Sequence, residues 1–240
     1  MSLRKIYFIL FILVYSSNIK AQTVDSIISN YITFIGGEQQ WKTIHTIVTS
    51  GIYNYGGVEF PFTAYSKAPN LYKFVVPFNG KYYAQAFDGK QGWKIDAFKN
   101  ETKRTPLTGK PALAMANEAD VELESPFINY KKKGHQAILE GKDTVEGITC
   151  FKIKFIRSNG ETETYFFDSN NFELVKKIAV SKNAEMQNAM LNTFYSDYQE
   201  VNGIKIPYRS ISKTDDGQTI LTIKIKKVEI NIPIPDTEFE

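Results

Sequence analysis

Few side chains in this sequence are of the kinds that carry catalysis. The 240 residues include two histidines, His45 and His135, and one cysteine, Cys150. A Cys/His zinc site needs three or four such ligands, and a disulfide needs a second thiol. His45 and Cys150 are moreover more than a hundred positions apart, so any metal chemistry would have to rest on carboxylates alone. No G-x-S-x-G elbow, G-x-G-x-x-G turn, phosphate-binding loop or H-E-x-x-H helix occurs, which removes the common nucleophile, dinucleotide and zinc-hydrolase arrangements. His45 lies between Ile44 and Thr46 in a strand-like context, and His135 follows Lys133-Gly134 at a turn or strand start. Glu161 and Glu163 are two apart and share a strand face. Acid and base groups of glycosidases usually come from separate elements around a cleft, so pairing with Lys152 or Lys154 on a hairpin flank explains these acids more simply. A non-enzymatic role with no cofactor and no metal is therefore expected.

The remaining chemistry is apolar: 42% of the residues are hydrophobic and 14% aromatic. Val24, Ile27, Ile28, Tyr31, Ile32 and Ile35 recur at intervals of three and four, the stripe of a helix capped by Thr23 or Asp25 and ended by Gly36-Gly37. After Trp41 the apolar period drops to two, as in Val58, Phe60, Phe62 and Ala64, then Tyr72, Phe74, Val76 and Phe78. The dipeptides Asn79-Gly80, Asp88-Gly89, Asn159-Gly160, Asn202-Gly203 and Asp216-Gly217 accept positive φ and punctuate an antiparallel meander. Strands are predicted at 44–54, 57–67, 71–78, 81–87, 92–97, 135–142, 147–157, 161–168, 172–181, 189–201, 204–213 and 218–230. So many strands with one apolar side must curl around it. The fold class is mainly β: a large curved antiparallel sheet or incomplete β-barrel, with an N-terminal helix and a short helical lid over the concave face.

The lid is assigned to an insertion at about 98–134, where alternation stops. Pro111 to Ala119 looks helical, with Pro111 in the first turn, and Phe127 and Ile128 form a second apolar patch. Leu113, Met115, Phe127 and Ile128 are its candidate apolar contacts. A static plug would leave the same pattern. If the aromatic faces turn inward, Phe60, Phe62, Tyr72, Phe74, Val76, Phe78, Phe87, Trp93, Phe151, Ile153 and Phe155 would line an apolar cavity. The alternative from periodicity is a packed barrel core.

The N-terminus adds a location. Arg4 and Lys5 precede an apolar run from Ile6 to Tyr15, then a polar stretch to Ala21. That run falls short of the roughly 18 to 20 residues of a membrane span, so residues 1–21 read as a cleavable signal peptide and 22–240 as one domain. Ile19 departs from the small-residue pattern of a cleavage site, and no cysteine follows for a lipid anchor. Removing 1–21 takes Arg4, Lys5 and Lys20 and no acid, leaving 26 basic against 26 acidic residues. A mature chain of zero net charge gives no argument for nucleic acid or an anionic membrane as a partner. Lys131-Lys132-Lys133 reads as a solvated turn and Cys150 as a small buried residue. A soluble exported monomer is expected.

Several segments resemble one family. They are Ile32 to Trp41, Phe60-Pro61-Phe62, Asp88 to Trp93, Asn129 to His135 and Tyr195 to Pro207, with the Ile232-Pro233-Ile234-Pro235 tail. In that order they are similar to outer-membrane lipoprotein-sorting proteins of the Bacteroidetes type, within the LolA/LolB-like lipoprotein carrier superfamily. The resemblance implies an incomplete antiparallel barrel with helices over an apolar cavity. It further implies a periplasmic carrier of lipoprotein acyl chains or another lipid, with membrane-associated donor and acceptor proteins as partners. The lid-locking arginine and exposed leucine loop of better-studied carriers align to no residue here. An envelope sensor or accessory protein-binding module on the same fold is the alternative.

Overall fold

The computed structural model describes residues 22–122, 125–181 and 189–240; the expected signal segment lies outside them. The first half of the chain supplies β1 (Thr46–Tyr55), β2 (Val58–Lys67), β3 (Leu71–Phe78), β4 (Lys81–Phe87), β5 (Gly92–Ile95) and β6 (Thr105–Pro106). The second supplies β7 (Gln136–Val145), β8 (Ile148–Ile156), β9 (Thr162–Asp168), β10 (Leu174–Val180), β11 (Met190–Val201), β12 (Ile204–Lys213) and β13 (Thr219–Ile230). Every strand read from alternation is present; the two-residue β6, too short to show a period, is additional. All thirteen form one antiparallel sheet in the order β6-β5-β4-β3-β2-β1-β13-β12-β11-β10-β9-β8-β7. Two meanders therefore meet where β1 pairs with β13, and β6 and β7 are unclosed edges.

Turn chemistry sets the hairpins. Asn79-Gly80 (φ 47 and 73) and Asn202-Gly203 (φ 48 and 79) turn with positive φ at both positions, as expected. Gly56-Gly57 and Glu146-Gly147 also have both φ positive, without the Asn or Asp that marks such turns in a sequence.

Helix α1 (Val24–Phe34) begins at Thr23, whose hydroxyl accepts the Ser26 N–H at 3.2 Å. It stops at Gly36, φ 112, where an added Cβ would lie 2.2 Å from the Gly203 carbonyl oxygen. Only glycine lets the helix end seat on the β11–β12 turn. Its apolar stripe, Ile27, Ile28, Tyr31 and Ile35, packs on Phe151, Ile153, Phe155, Tyr165 and Phe167 of β8 and β9. Phe127 and Ile128 are buried in this same cluster, at 1% and 0% exposure. They correct the lid assignment, because Phe127 makes edge contacts with Tyr31, Phe155 and Tyr165 and so belongs to the core beneath α1. Full burial of a side chain this size contributes roughly 1.5–3 kcal/mol.

The remaining helical part of the insertion is α3 (Gly109–Glu122), which lies over β3, β4 and β5. Met115 and Ala119 meet Phe62, Tyr72, Phe74, Val76 and Phe87. Gly92 allows that approach: a Cβ there would stand 3.1 Å from Leu107 and 3.4 Å from Met115. Leu113 is corrected as a lid contact, since it is 42% exposed and lies on the outer side of the helix. Before α3, Ala97–Lys99 forms a 3-10 turn.

Trp93 is also corrected. Its neighbours in register are Ala86 and Pro106, and Ala86 pairs with Lys73, so it faces the convex side, away from Phe87. There it donates through Nε1 to the Phe239 carbonyl at 2.8 Å. The C-terminal segment straps this side, with Phe239 and Ile234 buried against Val48 and partly against Tyr65 and Leu71. Among the described residues no helix is long and apolar enough to cross a membrane.

Candidate functional site

The concave face is built by period-two side chains whose register keeps them in rows. Tyr53 of β1 pairs with Phe60 of β2 and with Ile223 of β13; Ala64 pairs with Phe74, Tyr72 with Phe87, and Ile153 with Tyr165. The expected lining residues divide between two clusters on this face. Phe62, Tyr72, Phe74, Val76 and Phe87 lie under α3 with Phe60 partly buried beside them, while Phe151, Ile153 and Phe155 lie under α1. Phe78 joins Phe60 at the hairpin-tip end, with ring centroids 6.1 Å apart. Both clusters are closely packed: Phe62 stacks on Phe74 at 5.5 Å, and Tyr165 on Phe167 at 6.3 Å.

Between the clusters runs a half-buried strip of the sheet that the aromatic pattern did not reveal. It comprises Tyr53, Ile223 and Ile225, then Ser210, Thr193 and Tyr195, all half-buried rather than buried. Tyr53, Ile223 and Ile225 pack against the cluster under α3, and Tyr195 against the cluster under α1. At one end Trp41 of α2 (Glu38–Trp41) packs against Ile44, Ile47 and Ile204, as do Val228 and Ile230. Its indole donates to the Ile35 carbonyl at 3.1 Å, fixing the ring. The other end runs to the β1–β2 and β3–β4 hairpin tips. β11 to β13 are rich in Thr, Ser and Lys, which hides their inward apolar row in the sequence.

Polar groups on the face are paired. Thr193 and Ser212 share a hydrogen bond of 2.9 Å. Glu163 is 6% exposed and is held by Lys177 Nζ at 2.7 Å, Arg157 Nε at 3.1 Å and the Tyr165 hydroxyl, which donates at 2.7 Å. Burial by itself would raise its carboxyl, but Lys177 and Arg157 outweigh it and bring the pKa down to about 2. Glu163 therefore remains an anion and a poor proton donor. The expected partners Lys152 and Lys154 are corrected: Glu163 pairs across the sheet with Phe155 and shares its face, and Lys152 reaches Glu140 at 3.6 Å instead. Glu161 lies in the β8–β9 turn, where it accepts from the Asn117 amide of α3 at 2.6 Å. That bond ties the helix over one cluster to the hairpin under the other.

The remaining reactive groups lie apart. Cys150 is free, fully buried on the convex side, and burial pushes its thiol up to about 11. His135 Nδ1 accepts the Ser158 N–H at 3.0 Å before β7, and His45 precedes β1. Among the described residues no three His, Cys, Asp or Glu side chains are placed to hold a metal ion. Lys131 meets Asp25 at 2.7 Å and fastens the 127–134 turn to α1.

No protein-family model and no curated protein sequence matches the chain. Solved structures do match. A DUF1329 family protein from Desulfovibrio piger is similar at TM-score 0.61 and 15% identity, over 92% of this chain and 98% of that one. A LolA superfamily protein from Nitrosomonas europaea is similar at TM-score 0.57 and 13% identity, again over 92% and 98%. A domain described as an outer membrane lipoprotein-sorting protein, from Vibrio parahaemolyticus, is similar at TM-score 0.58 and 11% identity, over 89% and 94%. With its unclosed antiparallel sheet and helices on the concave face, the chain has the fold of the LolA/LolB-like superfamily.

Proposed function

We propose that this chain is an exported lipid carrier that holds the acyl chains of a lipoprotein, or of another amphiphile, along the strip between α1 and α3. The observation that carries the reading is the half-buried floor of Tyr53, Ile223 and Ile225, continuous with the aromatic cluster beneath α3. Transfer of a buried methylene from water contributes about 0.8 kcal/mol, so a palmitoyl-length chain gains on the order of 10 kcal/mol before ordering costs. Such affinity needs only an apolar surface and involves no bond-making step. The lipoprotein-sorting domain from Vibrio parahaemolyticus, alike in fold, supports the same cargo class. The signal-like segment at 1–21 supports a periplasmic location.

Native mass spectrometry of residues 22–240, purified from the periplasm without detergent, tests this. A stoichiometric acyl-bearing adduct is expected, and Ile223→Asp should remove it while the fold survives by circular dichroism. A chain that stays free of lipid even after addition of a diacylated lipopeptide would sink the reading. An adduct retained in the presence of acceptor vesicles would assign the protein to the sensor class instead.

A further inference from the structure

We propose that the β10–β12 side of the strip is a headgroup subsite for an acidic amphiphile, taking the carboxylate of a fatty acid or the phosphate of a phospholipid. The inference rests on the carrier reading and narrows its cargo. Residues that pair in register face the same side of the sheet with their Cβ atoms about 5 Å apart. Lys177 of β10 pairs with Thr193 of β11, Thr193 with Ser212 of β12, Ser212 with Leu221 of β13, and Leu221 with Tyr55 of β1. One row across the concave face is therefore polar at its β10 end and apolar at its β1 end. The row beside it repeats the change, with Tyr195 and Ser210 followed by Ile223 and Tyr53. The polar end offers donors. Lys177 is 15% exposed and meets Glu163 Oε1 at 2.7 Å, and its ammonium has three N–H donors and no acceptor. Thr193 and Ser212 share one hydrogen bond in which either can donate, so the accepting hydroxyl still has its own proton to give. Ser212 is buried and Thr193 half-buried, and a donor taken out of water needs an acceptor. Glu163, the carboxylate next to this row, is already held by Lys177, Arg157 and Tyr165. A carboxylate or phosphate oxygen between Lys177 and Thr193 would accept from both, with its chain laid across Leu221, Ile223 and Tyr53 toward the cluster under α3. A choline or ammonium head would meet Lys177 as a like charge, and an alcohol would forgo the charge-assisted bond.

Displacement of the neutral dye N-phenyl-1-naphthylamine from delipidated residues 22–240 at neutral pH compares three ligands with one tail: dodecanoate, dodecyl phosphate and dodecanol. At least one of the anions is expected to bind roughly tenfold to a hundredfold more tightly than the alcohol, the range of a hydrogen bond to a charged group. The tighter anion names the source, fatty acid or phospholipid. Lys177→Met should abolish the preference and leave dodecanol binding as it was. Thr193→Val with Ser212→Ala, which leaves the Lys177–Glu163 pair intact, should reduce the preference, and it carries the test if Lys177→Met fails to fold. A natural chain that binds the three ligands alike would overturn the subsite and leave the carrier reading standing. So would folded variants that keep the full preference. Binding of none of the three would sink both.

Discussion

Replacing Glu163 by glutamine tests whether the charge cluster on the concave face is held together by one ionised carboxylate. The side chain keeps its shape and still accepts from Tyr165, but Lys177 and Arg157 lose their counter-charge. The magnitude follows from the carboxyl, which is depressed from an ordinary 4.5 to about 2 in the fold. At about 1.4 kcal/mol per pH unit, that difference contributes about 3 kcal/mol to folding at neutral pH. This lies within the roughly 3–5 kcal/mol typical of removing one partner from a buried ion pair. A folded-state pKa below the unfolded one gives stability that is complete above about 4.5 and is lost as pH falls toward 2. Urea unfolding of both proteins at pH 7, 5 and 3 should therefore show a gap of about 3 kcal/mol that holds at pH 5 and has narrowed by pH 3. A gap under about 1 kcal/mol at pH 7, or one indifferent to pH, would refute the ionised cluster.

Two further expectations use the inner and outer sides of the elements around the strip. Met115→Asp should weaken acyl-lipid uptake by more than tenfold, because it drives a charge into the aromatic cluster under α3, whereas Leu113→Asp on the outer side should leave uptake unchanged. Equal uptake by the two variants in a fluorescent fatty-acid binding assay would remove α3 from the site. Trp41 packs at one end of the strip and Trp93 lies on the convex side under Phe239, so an acyl ligand should shift the emission of Trp93→Phe but not that of Trp41→Phe. The opposite pattern in the two spectra would place the ligand on the wrong face.

Strand positions were legible because side-chain alternation and Asn-Gly turns are local properties, and β3 carries both. The register of β5 was not legible. Gly92-Trp93-Lys94-Ile95 is too short to show which parity faces inward, and only pairing with Ala84 and Ala86 sends Trp93 outward. The insertion misled for a related reason: Phe127 and Met115 lie a few turns apart in one apolar segment, yet the chain between them passes from one cluster to the other. The strip was missed because a site made of half-buried Ser210, Thr193 and Ile223 has no composition of its own. It exists only because β1 and β13, far apart in sequence, lie side by side.

That pairing also constrains how the molecule assembles. Tyr55 meets Leu221, 166 positions later, and the ten residues of β1 border β13 along nearly their whole length. During synthesis the first meander can form early, but β1 must keep an unpaired edge that includes Ile47 and Val48 until almost the entire chain has emerged. Contacts of such long sequence separation make folding slow, and open strand edges are sites of aggregation. A chain interrupted before β13 would expose the edges of both β1 and β12 at the middle of the sheet, so chain completion and solubility are coupled through a single seam.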